Sequence, residues 1–275
     1  MMQRSVVPPS PTPGRLLRHH GELPEADLST LLGFGGLHGG LLVGLLTAEL
    51  AADAEIDRPL RYVTAQFHRP ATGAIELAAD ESEVGRSVTR ARGRATEAGR
   101  TLVTAAAVFA TVGARPADGG PPMQAPVAAP PMPAVAPPER CEPFVVPVEF
   151  VPFTQHLDIR PTDGNLPFGG GTDPTLTAWI RLKEDDEAPD GGRLITLLDS
   201  LAPSYAAVIE APVAIPTIEL SVRLSTDLSS ATSPWILLRA STHRFDGGWI
   251  DERIDAWTPE GTPVATGTQV RLLRP

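Results

Sequence analysis

Few places in this sequence could begin chemistry, and the first is FGGLHGGLLVGLL, residues 34–46, where a histidine and several glycines open an apolar run with helical spacing. Glycine costs about 1 kcal/mol relative to alanine inside a helix, so a cluster at its start means that backbone must come close to something, protein or ligand. Amide N–H groups at a helix start lack partners within the helix and can face negative charge. His38 could touch a ligand there or cap the helix. Other chemistries are disfavoured by what is missing. Neither helical segment carries a serine in a Gly-x-Ser-x-Gly setting, which argues against a nucleophilic serine. The single cysteine, Cys141, can form neither an internal disulfide nor a thiolate metal cluster, so we expect a reducing, cytoplasmic setting with no metal and no cofactor.

The elements that would position such residues fall into two segments. The chain has 275 residues, 42% of them hydrophobic, enough for a sizeable core. Its formal net charge of -10 argues against nucleic acid as the main partner. No apolar run is long enough for a membrane span, so none is expected. Residues 1–14, rich in proline, read as a flexible tail. Residues 114–147, where prolines alternate with alanine and glycine, read as an extended interdomain linker. The segments on either side, 15–113 and 148–275, then form an N-terminal and a C-terminal unit.

Each unit shows the same order of signals. In the first, Leu41 to Leu50 reads as an apolar helix, followed by strands divided by glycine turns. In the second, RLITLLDSLAPSYAAVI reads as an apolar helix, and PTIELSVRL alternates with Ile218, Leu220, Val222 and Leu224 on one face. WILLRASTHRF, a turn at Asp246-Gly247-Gly248, WIDERIDAW, a turn in TPEGT, and VATGTQVRLL complete an antiparallel meander. TEAGRTLVTA lies over TPEGTPVATG, and Thr64 over Thr217, as in a duplicated unit. A helix apolar on all sides must be enclosed, so the expected fold is α+β: two repeats, each a long central helix wrapped by an antiparallel β-sheet.

In the segments FGGLHGG, FHRPATG, AWIRL, LLDSLAPS, IPTIELSVRL and VATGTQVRLL, taken in order, the chain resembles the double hotdog acyl-CoA thioesterases, similar to the bacterial type II enzymes. The resemblance runs from about Gly33 to the C-terminus, apart from the linker. It implies that a helix carboxylate, a strand threonine and a glutamine near the end of the last strand hold the water that attacks the thioester. Matched motif to motif, these fall on Asp199, Thr217 and Gln269. A thioester needs an oriented water, a base for its proton and donors for the developing oxyanion, and the three residue types suit those tasks. The first half keeps Thr64 but has Ala107 over Gln269, so one reaction centre per chain is expected.

The resemblance also implies that Gly35, Gly36, His38 and Gly39 lie against an acyl-CoA entering between the two halves, and that the protein is a homo-oligomer. Tight helix-against-sheet packing explains the glycines equally well. Arg69 in FHRPATG could meet a coenzyme A phosphate or form an interdomain ion pair. Two rivals share the architecture. An enoyl-CoA hydratase or dehydratase would need an Asp-x-Asn-Pro-x-His loop, which is missing. A non-catalytic acyl-CoA-binding protein would keep the three residues as relics.

Overall fold

A computed structural model describes residues 11–18, 28–54, 56–111, 129–183 and 186–274. Its helices are α1 (Pro13–Arg18), α2 (Gly39–Asp53) and α3 (Gly191–Leu198). Its strands are β1 (Leu60–Phe67), β2 (Glu76–Val84), β3 (Val88–Glu97), β4 (Arg100–Ala110), β5 (Leu157–Pro161), β6 (Thr175–Leu182), β7 (Thr217–Leu224), β8 (Ile236–Asp246), β9 (Trp249–Trp257) and β10 (Pro263–Leu272).

All strands join one antiparallel sheet of ten, in the order β2-β3-β4-β1-β7-β10-β9-β8-β6-β5. The seam between the halves is the β1–β7 pairing, from Tyr62 opposite Arg223 to Gln66 opposite Glu219. α2 and α3 pack against each other on one face, with Leu41, Leu45 and Leu46 of α2 and Leu194, Ile195 and Leu198 of α3 in a single core with Val63, Leu220 and Ile254. This is the α+β double hotdog that the sequence implies. The hairpin turns follow from local chemistry: Gly247 and Gly248 both have positive φ, 56° and 91°, as the tight turn between β8 and β9 requires.

Several readings from the sequence need correction. The second helix is short: α3 ends at Leu198, Asp199 is its C-cap, and Ser204–Val208 is a separate 3-10 turn. Pro203 supplies the reason, because the residue before a proline is pushed out of the helical region. Strands β5 and β6 lie outside the meander expected from the sequence. Both alternate in polarity, but β5 is only five residues long, and in β6, which is buried on both faces, Trp179 interrupts the alternation.

The repeat also pairs differently from the sequence match. Ala107 lies opposite Val63, and Gln269 lies opposite Leu220, so Val63 and Leu220 are equivalents. Three residues earlier, the counterpart of Thr217 is Leu60, and each opens its strand. Thr64 instead sits opposite Ser221 and accepts its hydroxyl at 2.9 Å.

The proline-rich stretch is docked over much of its length. Residues 112–128 lie outside the described residues, but Met132, Val135 and Ala136 pack on Trp179, Leu237 and Trp257, on the sheet face opposite the helices. The two indoles fix it, Trp179 Nε1 donating to the Ala136 carbonyl at 2.8 Å and Trp257 Nε1 to that of Pro130 at 3.0 Å. At the other terminus, residues 1–10 of the expected tail lie outside the described residues. Pro13 and Gly14 open α1, whose Leu16 and Leu17 join the core.

Candidate active site

The C-terminal end of α3 meets the N-terminal end of α2, and Asp199 stands at the junction. One carboxylate oxygen, Oδ2, accepts the Gly40 amide N–H at 2.7 Å; the other, Oδ1, accepts the Gln269 Nε2–H at 2.7 Å. A carboxylate at the start of α2 also gains from the positive end of that helix's dipole. Gln269 arrives from β10, where its burial (1% exposed) follows from the inward alternation Ala265, Gly267, Gln269, Arg271. Its Oε1 is buried without a partner among the described residues.

Thr217 reaches this region through an irregularity. The alternation of Ile218, Leu220 and Val222 on the core side would turn Thr217 outward. A β-bulge opposes that, because Val270 faces Glu219 while the next residue, Arg271, faces Thr217, so that β7 has Ile218 to spare. Thr217 thereby shares the face of Arg271, whose Nη1 donates to its hydroxyl at 2.9 Å, and it lines the same cavity as Asp199.

That cavity, of about 560 Å³, lies between the halves. Its wall is mainly apolar, with Leu42, Phe67, Phe153, Leu157, Ile159 and Leu176 among its residues. His68, Arg69 and Arg274 also line it. Arg69 is exposed. At another part of the rim the rings of Phe34 and Phe150 meet edge to face at 5.2 Å.

The glycine-rich lead has a mixed explanation. Gly35 has φ of 81° with open space around it, and lines the cavity with Gly36 and Gly39. At Gly36 and Gly39 it is protein that comes close: a Cβ on Gly36 would stand 2.8 Å from the Ala71 backbone, and one on Gly39 would stand 2.9 Å from Asp199 Oδ2. Gly40 is tighter still, its added Cβ falling 2.6 Å from that of Asp199 and 2.9 Å from the Ile195 carbonyl. The closeness of the two helix ends, which sets the carboxylate on the Gly40 amide, depends on that missing side chain.

His38 lines the cavity and also caps α2. Its Nδ1 accepts the Leu41 N–H at 3.2 Å, which leaves the ring proton on Nε2, facing Ser200 Oγ at 3.4 Å. One ring face stacks on Phe153 at 3.9 Å. Burial lowers its pKa below the ordinary 6.5, only partly offset by the nearby Asp199, so the ring is held neutral.

Sequence reasoning missed two residues. Arg271 and Glu252 form a buried ion pair, Nε to Oε2 at 2.8 Å, with side chains 7% and 1% exposed. Glu252 lies directly opposite Gln269 on the neighbouring strand. A signal existed in VATGTQVRLL, since alternation from Gln269 turns Arg271 inward, and an inward arginine must have a partner. Cys141, with its thiol pKa raised by burial, packs with Trp179 on the opposite face of the sheet, away from the cavity. Among the described residues, no group of His, Cys, Asp and Glu could hold a metal ion, and no helix is long and apolar enough to cross a membrane.

An antiparallel sheet wrapped on two helices, with an acid–amide pair at a helix start above an apolar cavity, defines an α+β double hotdog protein. Residues 31–110 match the family model for the acyl-CoA thioesterase N-terminal domain, and residues 126–273 match that for the acyl-CoA thioesterase C-terminal domain. The chain belongs to the acyl-CoA thioesterase family.

Among solved structures it is similar to a hotdog-fold protein of unknown function from Alicyclobacillus acidocaldarius, at 24% identity over 90% of each chain with a TM-score of 0.77. It is also similar to the acyl-CoA thioesterase II TesB2 of Mycobacterium marinum, at 18% identity over 86% of this chain and 88% of that one, TM-score 0.64. The dehydratase domain of RzxB from Pseudomonas fluorescens shares the fold more distantly, at 14% identity over 87% and 86%, TM-score 0.50. No curated protein matches this sequence.

Proposed function

We propose that this chain hydrolyses acyl-CoA thioesters to a free acid and coenzyme A, using a water activated by Asp199, Thr217 and Gln269. The observation that carries the reading is the Asp199–Gln269 pair at the start of α2, each carboxylate oxygen already bonded by one N–H, inside the cavity that Thr217 also lines. Each oxygen keeps a lone pair for a further donor. The water's oxygen attacks the thioester carbonyl carbon, Asp199 takes the water's proton, the C–S bond breaks, and the proton passes to the departing sulfur. Gln269 Oε1, buried and unpartnered, suits the water's second O–H. The developing oxyanion is favoured by the positive end of α2.

In this reading the acyl chain lies along the apolar wall, and Arg69, with His68 and Arg274, meets coenzyme A phosphate. Gly35, Gly36, His38 and Gly39 border the thioester. The units 15–113 and 148–275 share one reaction centre, because Ala107 replaces the glutamine and Leu60 the threonine in the first half. The chain acts in the cytoplasm as a homo-oligomer without a cofactor.

The same fold carries dehydratases, so the fold alone does not choose the reaction. The sequence lacks the Asp-x-Asn-Pro-x-His loop of that chemistry, which favours hydrolysis. Thiol release from acetyl-, hexanoyl-, dodecanoyl- and palmitoyl-CoA tests the proposal. Turnover that grows with chain length supports it. Tight acyl-CoA binding without thiol release shows a binding protein instead, and hydration of a trans-2-enoyl-CoA shows a hydratase.

A further inference from the structure

A continuous chain of bonds ties the two sides of the candidate site together through a pair of charges that the hydrolytic chemistry does not itself use. On one side, five residues beyond Asp199, the Ser204 amide donates to Glu252 Oε1 at 2.5 Å. Glu252 Oε2 accepts from Arg271 Nε, and Arg271 Nη1 donates to the Thr217 hydroxyl on the other side. Burying such a pair is costly, and apolar residues of similar size would often serve stability as well or better. Its retention here calls for a local role.

Arginine can only donate. The Thr217 oxygen therefore spends one acceptor position on Arg271, and its own O–H must point elsewhere. The bulge at Ile218 sets Thr217 directly opposite Arg271, so the bond exists only because β7 is irregular at this residue.

We propose that Arg271 is a positioning residue that, braced by Glu252, fixes the rotamer of Thr217 and turns its hydroxyl proton toward the reacting water. The role rests on the hydrolytic reading of the site. Arg271 also lines the cavity, and the role proposed for it is exerted through its bond to Thr217. Orientation of this kind matters because misplacing a group near the reacting atoms by about 1 Å can cost about a hundredfold in rate.

The test is a double-mutant cycle with a direct structural readout. Arg271→Lys and Thr217→Val are each expected to lower kcat by at least about tenfold with KM within about threefold, and the double variant is expected to be no slower than Thr217→Val alone. Effects that multiply in the double variant would overturn the proposal. Should Arg271→Lys not fold, Arg271→Met combined with Glu252→Gln removes both charges while keeping an acceptor for the Ser204 amide. That variant is expected to fold and to lose activity like Thr217→Val, and wild-type activity in it would overturn the proposal. Crystal structures of the wild type and this pair variant read the positioning by itself. Thr217 leaving its rotamer in the variant supports the proposal, and an unchanged Thr217 overturns it. A wild type that releases no thiol from any acyl-CoA refutes the hydrolytic reading separately, while the rotamer comparison still decides the role of Arg271.

Discussion

Asp199→Asn separates the base from the architecture, because the structure shows how asparagine can replace the carboxylate. Asp199 receives two N–H groups, one from the fixed Gly40 backbone and one from the Gln269 side chain. Asparagine keeps an oxygen for the Gly40 amide, and its Nδ2 can donate to Gln269 once that side-chain amide turns over and presents Oε1. Two charge-assisted bonds become two neutral ones, a loss of about 1 kcal/mol each at most. The fold and the cavity survive. What disappears is the group that accepts the water's proton, worth about 10²- to 10⁴-fold in rate, and the turned amide also withdraws Oε1 from the water's second O–H. We expect kcat to fall at least a hundredfold, about 2.7 kcal/mol in the barrier, with KM changed no more than a few-fold. Thiol release gives kcat and KM, and thermal melting reports the fold. A well-folded Asp199→Asn enzyme with kcat within threefold of the wild type would refute the assignment of Asp199 as base.

Other expectations follow from single contacts. Gly40→Ala gains about 1 kcal/mol of helix propensity but forces a methyl group to 2.6 Å from Asp199 Cβ, and overpacking of that kind costs about 1–3 kcal/mol, so a lower melting temperature and reduced kcat are expected together. A variant as stable and as active as the wild type would show that the helix ends can part without consequence. His38, with its pKa lowered in the folded state, makes the unfolded chain the first to take up a proton below about pH 6.5, so its contribution to stability is present at neutral pH and lost as pH falls through that window. The fall in melting temperature between about pH 7 and pH 5 should therefore shrink in His38→Asn, and equal slopes would contradict a His38 pKa lowered by burial. Trp179→Phe removes the bond to Ala136 on the far face of the sheet, and is expected to cost about 1–2 kcal/mol on chemical denaturation while leaving kcat unchanged.

The parts legible in the sequence were those with strong local periodicity. α2 is apolar on every side, the β8–β9–β10 meander alternates, and the glycines at its turns mark its corners. The parts that stayed hidden depend on contacts between distant residues. The alternation of β6 is broken at Trp179, an apolar residue on the outer face that the docked proline-rich chain covers. The place of Thr217 could not be read from alternation, since a one-residue bulge reverses the side it faces, and nothing local in PTIEL announces the bulge. Matching Thr64 to Thr217 followed chemical likeness, whereas the ladder aligns Leu60 with Thr217. Arg271 and Glu252, on the paired strands β10 and β9, share a network with Thr217 of β7, and which partner the inward arginine meets emerges only from the pairing of the strands. The close approach of Gly40 to Asp199 spans the two halves, and only the packing of α2 on α3 reveals it.

The central claim, that one water is shared by an acid, a hydroxyl and an amide supplied by α3, β7 and β10, is tested most directly by a high-resolution crystal structure of the wild type bound to a non-hydrolysable thioether analogue of dodecanoyl-CoA. The account predicts a single ordered water bonded to Asp199, Thr217 and Gln269 and facing the carbon that corresponds to the thioester carbonyl. An analogue bound with that carbon in another part of the cavity, out of reach of any water held by these side chains, would contradict it.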